Sequence, residues 1–447
     1  LASGYYQIVP NAAKNLRVDI GKSSKSVGAA AACIKVSNAL SQRFLVKKVS
    51  SSAPPTANGT GVAGTTTAKT PTISIYYSVQ NVNSQHFLAD DNGSPEQSDE
   101  PSAGLSDKHL WQVVLQSDGY VLVNKASGRY LGLDKSNKLM LGTSQGARSI
   151  FSFTKTVPFD VGYYRLYTST GLYIDLSSGS TKDGAALRLE GKSSATTQKF
   201  RVTKSGYYFV MRNFRSFKAV EVKGGAKAAA GSVVQQSTYK ATKNQRFTML
   251  PAGGGWWYLK TAAGLYLSAK TPSKDGSRIY TTTDPGKALK LKLSKAGQVT
   301  GNTTVDYRVD SILTAVGRAG TPKQILQRSY RYLINRYPYR TASLYPTGQW
   351  KVNRALDMVK RKSGNCYRYA ALYCVIAEAL GYDANVVSGW VPTVSGYKSP
   401  HGWVEIRSGT KTYLVDVSMG RSYSAYRWFW ITYSDAPIEY HVINRAD

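Results

Sequence analysis

The sequence predicts a multidomain chain in which all-β repeats are followed by an α+β domain, and three observations carry that expectation. A glycine or small residue followed by aromatics recurs at near-constant spacing over residues 1 to about 296. Short β-rich runs and Gly/Ser/Lys turns fill each interval. Beyond residue 301 the pattern changes to an Ala/Leu-rich helical run and a hairpin. With 447 residues and 42% hydrophobic content, the chain has material for two or three cores, more than one core usually serves.

The repeats begin at Gly4-Tyr5-Tyr6, Ser74-Ile75-Tyr76-Tyr77, Gly119-Tyr120, Gly162-Tyr163-Tyr164, Gly206-Tyr207-Tyr208 and Gly255-Trp256-Trp257. From 75 to 119, 162 and 206 the steps are 44, 43 and 44 residues, and the last is 49. Three units end in Gln-x-Phe: Gln42-Arg43-Phe44, Gln198-Lys199-Phe200 and Gln245-Arg246-Phe247. The interval from Gly4 to Ile75 is 71 residues. Residues 50–72, rich in Ser, Ala, Pro, Thr and Gly, supply the excess and read as a flexible insert. That excess leaves open that the first unit belongs to an upstream domain.

These units resemble the ricin-type β-trefoil, in which three repeats close into one barrel-based domain. Family members commonly have Gln-x-Trp where this chain has Gln-x-Phe. Six units imply two trefoils, 1–156 and 157–296, divided at Val157-Pro158-Phe159-Asp160-Val161, where the join is longer than at Ser117-Asp118 or Lys204-Ser205. The resemblance places sugar-site aspartates at Asp19 and Asp175, with Glu221 in the fifth unit. That unit keeps Gln235 and the pair Asn244-Gln245, but Ser237 stands at the aromatic platform. Ala32 and Ile34 in the first unit, and Arg188 and Glu190 in the fourth, stand where the glutamine and stacking aromatic are expected. An aromatic face gives sugar C–H groups their apolar contact. Its absence argues against ordinary galactose binding, and a bracing role for the Asp and Gln residues competes. The modules are still expected to target a glycan or an anionic polymer.

In the C-terminal part, Ser363-Gly364-Asn365-Cys366 opens a helical run that stops at Gly381, with Ser or Asn as N-cap. Cys366 therefore falls in the first turn. Unpaired backbone N–H groups and the positive helix end there favour a thiolate and can bind an oxyanion. His401–Arg407 and Thr410–Asp416 read as a hairpin around Ser408-Gly409. A two-residue loop there sets Arg407 opposite Thr410 and His401 directly opposite Asp416, close enough for the carboxylate to orient the imidazole. A four-residue loop shifts the pairing by two. A lone cysteine on an amphipathic helix is more often a core residue, which is the reading for Cys374. Cys366 and His401 differ by their joint placement.

Gly364-Asn365-Cys366 opening this helix, Ala384–Gly389, His401-Gly402-Trp403-Val404-Glu405 and Leu414-Val415-Asp416 together resemble the transglutaminase-like superfamily over roughly 301–447. The resemblance implies a papain-like α+β fold with a Cys366, His401, Asp416 triad. Family members often have an acidic residue at Asn365 and alanine at Gly402. Some use an upstream tryptophan to stabilise the oxyanion; Trp350 is the candidate, against ordinary core packing. The implied reaction is attack by Cys366 on a protein or peptide amide, with His401 as proton carrier. An amine acceptor would make the enzyme a transglutaminase, and water a protease, peptidase or deamidase.

No zinc-ligand spacing and no phosphate-binding glycine loop is present, so neither a metal nor a cofactor is expected. The formal net charge is +32, of which +9 falls in residues 301–447. Such an excess attracts polyanions in a salt-sensitive way, although a merely solvated basic surface explains it equally. No nucleic-acid-binding signature accompanies the charge, so a cell-wall polymer, mucin or acidic polysaccharide is the expected partner. Three cysteines do not make a disulfide framework, and no run of about 20 apolar residues is present to insert in a membrane. The modular make-up leads us to expect a monomer, secreted or cell-wall associated, from a Gram-positive-like bacterium. The rival expectation is an adhesive wall-binding protein whose C-terminal fold has lost turnover.

Overall fold

The computed structural model describes residues 1–447 except 2, 38, 50–74, 100–103, 159, 207, 342–345, 347 and 447. The insert expected at 50–72 lies outside the described residues. The chain divides into two compact units. One is Leu1–Asp160 with Gly206–Tyr208 and Met249–Trp257; the other is Val161–Ser205, Phe209–Thr248 and Tyr258–Asp447.

In the first unit, Gly4–Pro10 pairs with both Phe44–Val49 and Phe151–Lys155 in one antiparallel sheet. The first repeat therefore closes a sheet with the second and third. Ile8, Val18, Phe44, Trp111, Leu122 and Phe151 form the core beneath. The Gln-x-Phe motif now has a physical account. Gln42, Gln198 and Gln245 are buried, and each carries its amide across the loop before it. Their amides donate to the carbonyls of Lys35 (2.8 Å), Gly191 (2.7 Å) and Thr238 (2.8 Å). Each side-chain oxygen accepts from a backbone N–H five residues upstream, that of Ser37, Ser193 or Lys240. The glutamine satisfies both ends of a turn that has no ladder of its own, while Phe44, Phe200 and Phe247 fill the core.

In the second unit, strands from Gly162–Thr168 to Lys290–Gly297 form a second antiparallel sheet system. The helices α1 (Thr303–Ala315), α2 (Pro322–Arg336), α3 (Lys351–Arg361) and α4 (Cys366–Leu380) follow. A five-stranded antiparallel sheet comes next, ordered Phe429–Ile431, Lys411–Val415, Lys398–Ser408, Asp383–Pro392, His441–Ala446, with α5 at Val417–Ser422. Helix α4 is apolar nearly all round, as a helix buried between α-helices and a sheet must be. Asn365 caps its start and Gly381 ends it at φ 102°, a left-handed conformation that favours glycine. Cys374 packs in its core.

Most of 157–296 lies in this unit with 301–447, two stretches expected as separate domains, and buried chemistry joins them. Tyr163 and Phe214 from the repeats share one apolar cluster with Val309 of α1 and Val375 of α4. Asp310, buried on α1, accepts from the Tyr163 hydroxyl (2.8 Å), Arg201 Nε (3.3 Å) and Arg318 Nη2 (3.2 Å). Lys199 Nζ donates to the Ala379 carbonyl (2.8 Å) at the end of α4 and lies over the rings of Phe214 and Tyr163. Burial, with the charges of Arg165 and Arg318, holds its pKa well below the usual lysine range. The Gln298 N–H takes the Glu378 carbonyl (2.9 Å). The last turn of α4 is thus capped by Lys199 of the repeats and by Gln298 of the segment that follows them. Among the described residues no helix is long and apolar enough to cross a membrane.

Replacing Asp310 by alanine strands two buried guanidinium groups and should destabilise this unit by about 3–5 kcal/mol. The measurement is the chemical denaturation midpoint; a shift no larger than for an exposed carboxylate would show that the cluster contributes nothing.

Candidate functional site

Cys366 is the first residue of α4, where backbone N–H groups lack intrahelical acceptors. The Asn365 side chain takes the Arg368 N–H (3.3 Å), so the cap engages the inner donor of the turn. His401 lies on the long strand Lys398–Ser408, paired with Gly389, and is buried. Asp416 follows the strand Lys411–Val415 and caps α5.

The hairpin register differs from the expected one. Gly409 and Thr410 form the loop, so Ser408 faces Lys411 and Arg407 faces Thr412, a shift of two. Gly409 has φ 62° and takes the first loop position, where a two-residue turn of this kind wants glycine. His401 and Asp416 are consequently not directly opposed. A shift of two preserves the face, and the chain bends into α5 after Val415. The two side chains meet with His401 Nε2 2.6 Å from Asp416 Oδ2.

Asp416 is fully engaged. Its Oδ2 also accepts from the Tyr440 hydroxyl (2.8 Å), and Oδ1 accepts from the Ser418 hydroxyl (2.9 Å) and the Met419 N–H (2.9 Å). Burial pushes its pKa up, but the His401 charge and these hydrogen bonds outweigh it and hold the carboxylate below its usual range. For His401, burial is the largest influence and favours the neutral ring. The charges and hydrogen bonds of Asp416 and Cys366 reverse that and raise it to about 10. With Nε2 committed to Asp416, Nδ1 is left for the Cys366 sulfur. The arrangement holds a protonated imidazole between a carboxylate and a sulfur, a suitable acid for a departing amine.

Four residues beside the triad escaped the sequence reading. Tyr440 and Ser418 steady Asp416; only Ser418 left a trace, in the Asp-x-Ser spacing of a capping turn. Tyr339 is held by a bridge to Gly364 and stacks on Tyr369. Its phenol is hydrogen-bonded to both the backbone and the side chain of Cys366; burial and then the Cys366 charge raise its pKa to about 12. Tyr367 explains Gly402, where the family often has alanine: a Cβ there would lie 2.5 Å from Tyr367 Cδ1. Trp350 packs edge-on against Tyr367, ring centroids 5.7 Å apart, and its buried indole N–H has no acceptor among the described residues.

The expected sugar residues are scattered, and most are used internally. Asp19 is buried and accepts from Ser41 (3.2 Å), its pKa raised by burial. Glu221 accepts from Gln235 (3.2 Å) and Gln245 (2.9 Å), and Asn244 donates to the Val222 carbonyl (3.0 Å), so the fifth-unit set braces its own repeat. Asp175 is likewise buried and hydrogen-bonded to Thr197 and Gln198, and in addition it lines a cavity of about 540 Å³ with Glu190, Ser193, Gln198 and Asp275. Among the described residues no group of three or more His, Cys, Asp or Glu side chains is placed to hold a metal ion.

Gly402→Ala should drive Tyr367 off its seat beside Cys366, lowering stability by about 1–3 kcal/mol and slowing alkylation of Cys366. Unchanged melting and labelling would contradict the clash. For His401, a folded pKa raised from 6.5 to about 10 gives stability that is complete below pH 6.5 and lost as pH rises through about 10. Imidazole NMR should find the ring still protonated at about pH 8, and Asp416→Asn should bring its titration back toward neutrality. A ring titrating near 6.5 in the unaltered protein would contradict the ion pair.

Residues 310–430 match the transglutaminase-like superfamily, and residues 66–145, 150–237 and 196–282 match the ricin-type beta-trefoil lectin domain-like family. No curated protein matches the chain. Among solved structures, the designed three-fold symmetric protein ThreeFoil is 24% identical over 30% of this chain and 99% of its own, with a TM-score of 0.29. A mosquitocidal holotoxin is 9% identical over 93% of this chain and 42% of its own, with a TM-score of 0.29. A Polyporus squamosus lectin is 11% identical over 58% of this chain and 93% of its own, with a TM-score of 0.34. The chain carries a transglutaminase-like core domain at 310–430, preceded by ricin-type β-trefoil lectin-like repeats spanning 66–282.

Proposed function

We propose that this protein is a secreted or cell-wall-associated cysteine acyl-transfer enzyme built as two trefoils, 1–156 and 157–296, and a catalytic domain, 301–447. The trefoils dock it on a glycan or polyanionic surface. One observation carries the catalytic reading: a buried His401 held protonated by a fully engaged Asp416, with the Cys366 sulfur on its other side.

In this reading the Cys366 sulfur adds to an amide carbonyl carbon, and the oxygen takes up negative charge. The backbone N–H at the start of α4 is positioned to receive that oxygen, and the unpartnered indole N–H of Trp350 is the second candidate donor. Tyr339 competes for the same backbone group, so substrate must displace its phenol or use it. Collapse of the adduct breaks the C–N bond; His401 gives its proton to the amine, leaving a thioester and a neutral ring. An acceptor amine or water then loses a proton to His401 and attacks the thioester, returning the thiolate and the imidazolium. Asp416 keeps the ring oriented throughout and stays ionised.

Cys366→Ala should abolish amide cleavage or amine incorporation while leaving polysaccharide binding unchanged. Mass spectrometry of candidate proteins incubated with enzyme and a labelled primary amine reads the acceptor from the mass gained. Activity persisting in Cys366→Ala, or Cys366 alkylating no faster than the buried Cys374, would remove the acyl-transfer reading and leave a binding protein.

A further inference from the structure

The strands Leu187–Glu190, Val234–Ser237 and Ser277–Thr282 come from the three successive repeats of the second trefoil and meet at one end of their sheet system. Arg188 is paired with Arg278, while isolated bridges join Ala186 to Gln235 and Val233 to Tyr280. At this junction a cavity of about 360 Å³ opens, within the range of small-ligand sites. Arg188, Lys223 and Arg278, one cation from each repeat, line it with Ser178, Ser180 and Gln235.

Like charges set directly opposite on neighbouring strands oppose pairing, and a fold normally answers them with a carboxylate. Here no carboxylate lines the cavity, and none of the ion pairs among the described residues involves these three cations. Glu190 feels the charge of Arg188 but stays beyond salt-bridge distance. The Gln235 amide is turned to Glu221. Arg188 Nε is buried without an acceptor among the described residues, a donor left unpaired at a cost that an incoming oxygen would remove. Guanidinium groups suit a planar or tetrahedral oxyanion better than any other small ligand.

The neighbouring cavity decides what carries the oxyanion. Ser178 lines both spaces, and the second is walled by three carboxylates, Asp175, Glu190 and Asp275, against one cation, Lys192, a lining suited to accept hydrogen bonds from hydroxyls and, on balance, to repel further negative charge. A phosphate rail, as in a nucleic-acid duplex, would put anions against those carboxylates. A sugar bearing one oxyanion beside several hydroxyls satisfies both spaces. We propose that this part of the second trefoil binds an acidic saccharide, its sulfate or carboxylate held by Arg188, Lys223 and Arg278 and its hydroxyls by the adjoining acidic cavity. This rests on the docking role given to the trefoils above and names the ligand class.

Isothermal titration of the full chain with a sulfated galactan tetrasaccharide, its desulfated counterpart, inorganic sulfate and a short DNA duplex tests the assignment. The sulfated tetrasaccharide should bind at least about tenfold more tightly than the desulfated one and than inorganic sulfate. Arg278→Ala should cost about tenfold in its affinity and flatten the salt dependence. Lys223→Ala, an exposed change that folding tolerates, should do likewise, and Lys290→Ala on another strand should not. Sulfated-saccharide binding untouched by both cavity variants overturns this site while leaving glycan docking in place. Absence of binding to any saccharide overturns the docking role together with it. DNA bound as tightly with the same losses, or inorganic sulfate bound as tightly as the tetrasaccharide, overturns the saccharide assignment.

Discussion

The carboxylate of Asp416 is the point on which the candidate site turns. A buried charge is tolerable only when its lone pairs are used, and four donors from three directions use them here: His401, Tyr440, Ser418 and the Met419 backbone. The strand before Asp416 ends one residue short of it, and α5 begins one residue after, so the first turn of that helix supplies two of those partners, the Ser418 hydroxyl and the Met419 N–H. Together with Cys366, Asp416 outweighs the burial that favours a neutral His401 ring. Trp403 packs edge-on against Tyr440 beside the ring, and the glycine at 402 leaves room for Tyr367.

Local signals were the legible ones. The cap at Asn365, the stop at Gly381 and the periodic repeats are written in neighbouring residues, and the fold follows them. Hairpin register is less local, because moving the loop from Ser408-Gly409 to Gly409-Thr410 changes every pairing by two while altering no composition. Tyr440 and Tyr339 were beyond reach for a different reason. They join the site from 24 residues beyond Asp416 and from the segment before α3, and nothing in their surroundings marks a tyrosine with such a task.

The repeats teach a complementary lesson. Asp19, Asp175 and Glu221 occupy equivalent places in their units and each is hydrogen-bonded within its own repeat, yet Asp175 in addition lines a cavity of about 540 Å³. Equivalence by period does not give equivalent surroundings; Glu190, which departs from the family pattern, lines the cavity beside Asp175. The Gln-x-Phe ends are the reverse case, since the same two-ended brace recurs in the first, fourth and fifth units.

Lys199 and Gln298 grip the far end of the helix whose first residue is Cys366. An enzyme hung from its lectin by a loose tether would sweep a volume and sample whatever lay within the swing. Here buried hydrogen bonds tie the repeats directly to α4, so under the proposed function the Cys366 sulfur would stand one helix length from the docked repeats, and the height of a target amide above a coated surface would become a selection rule in itself.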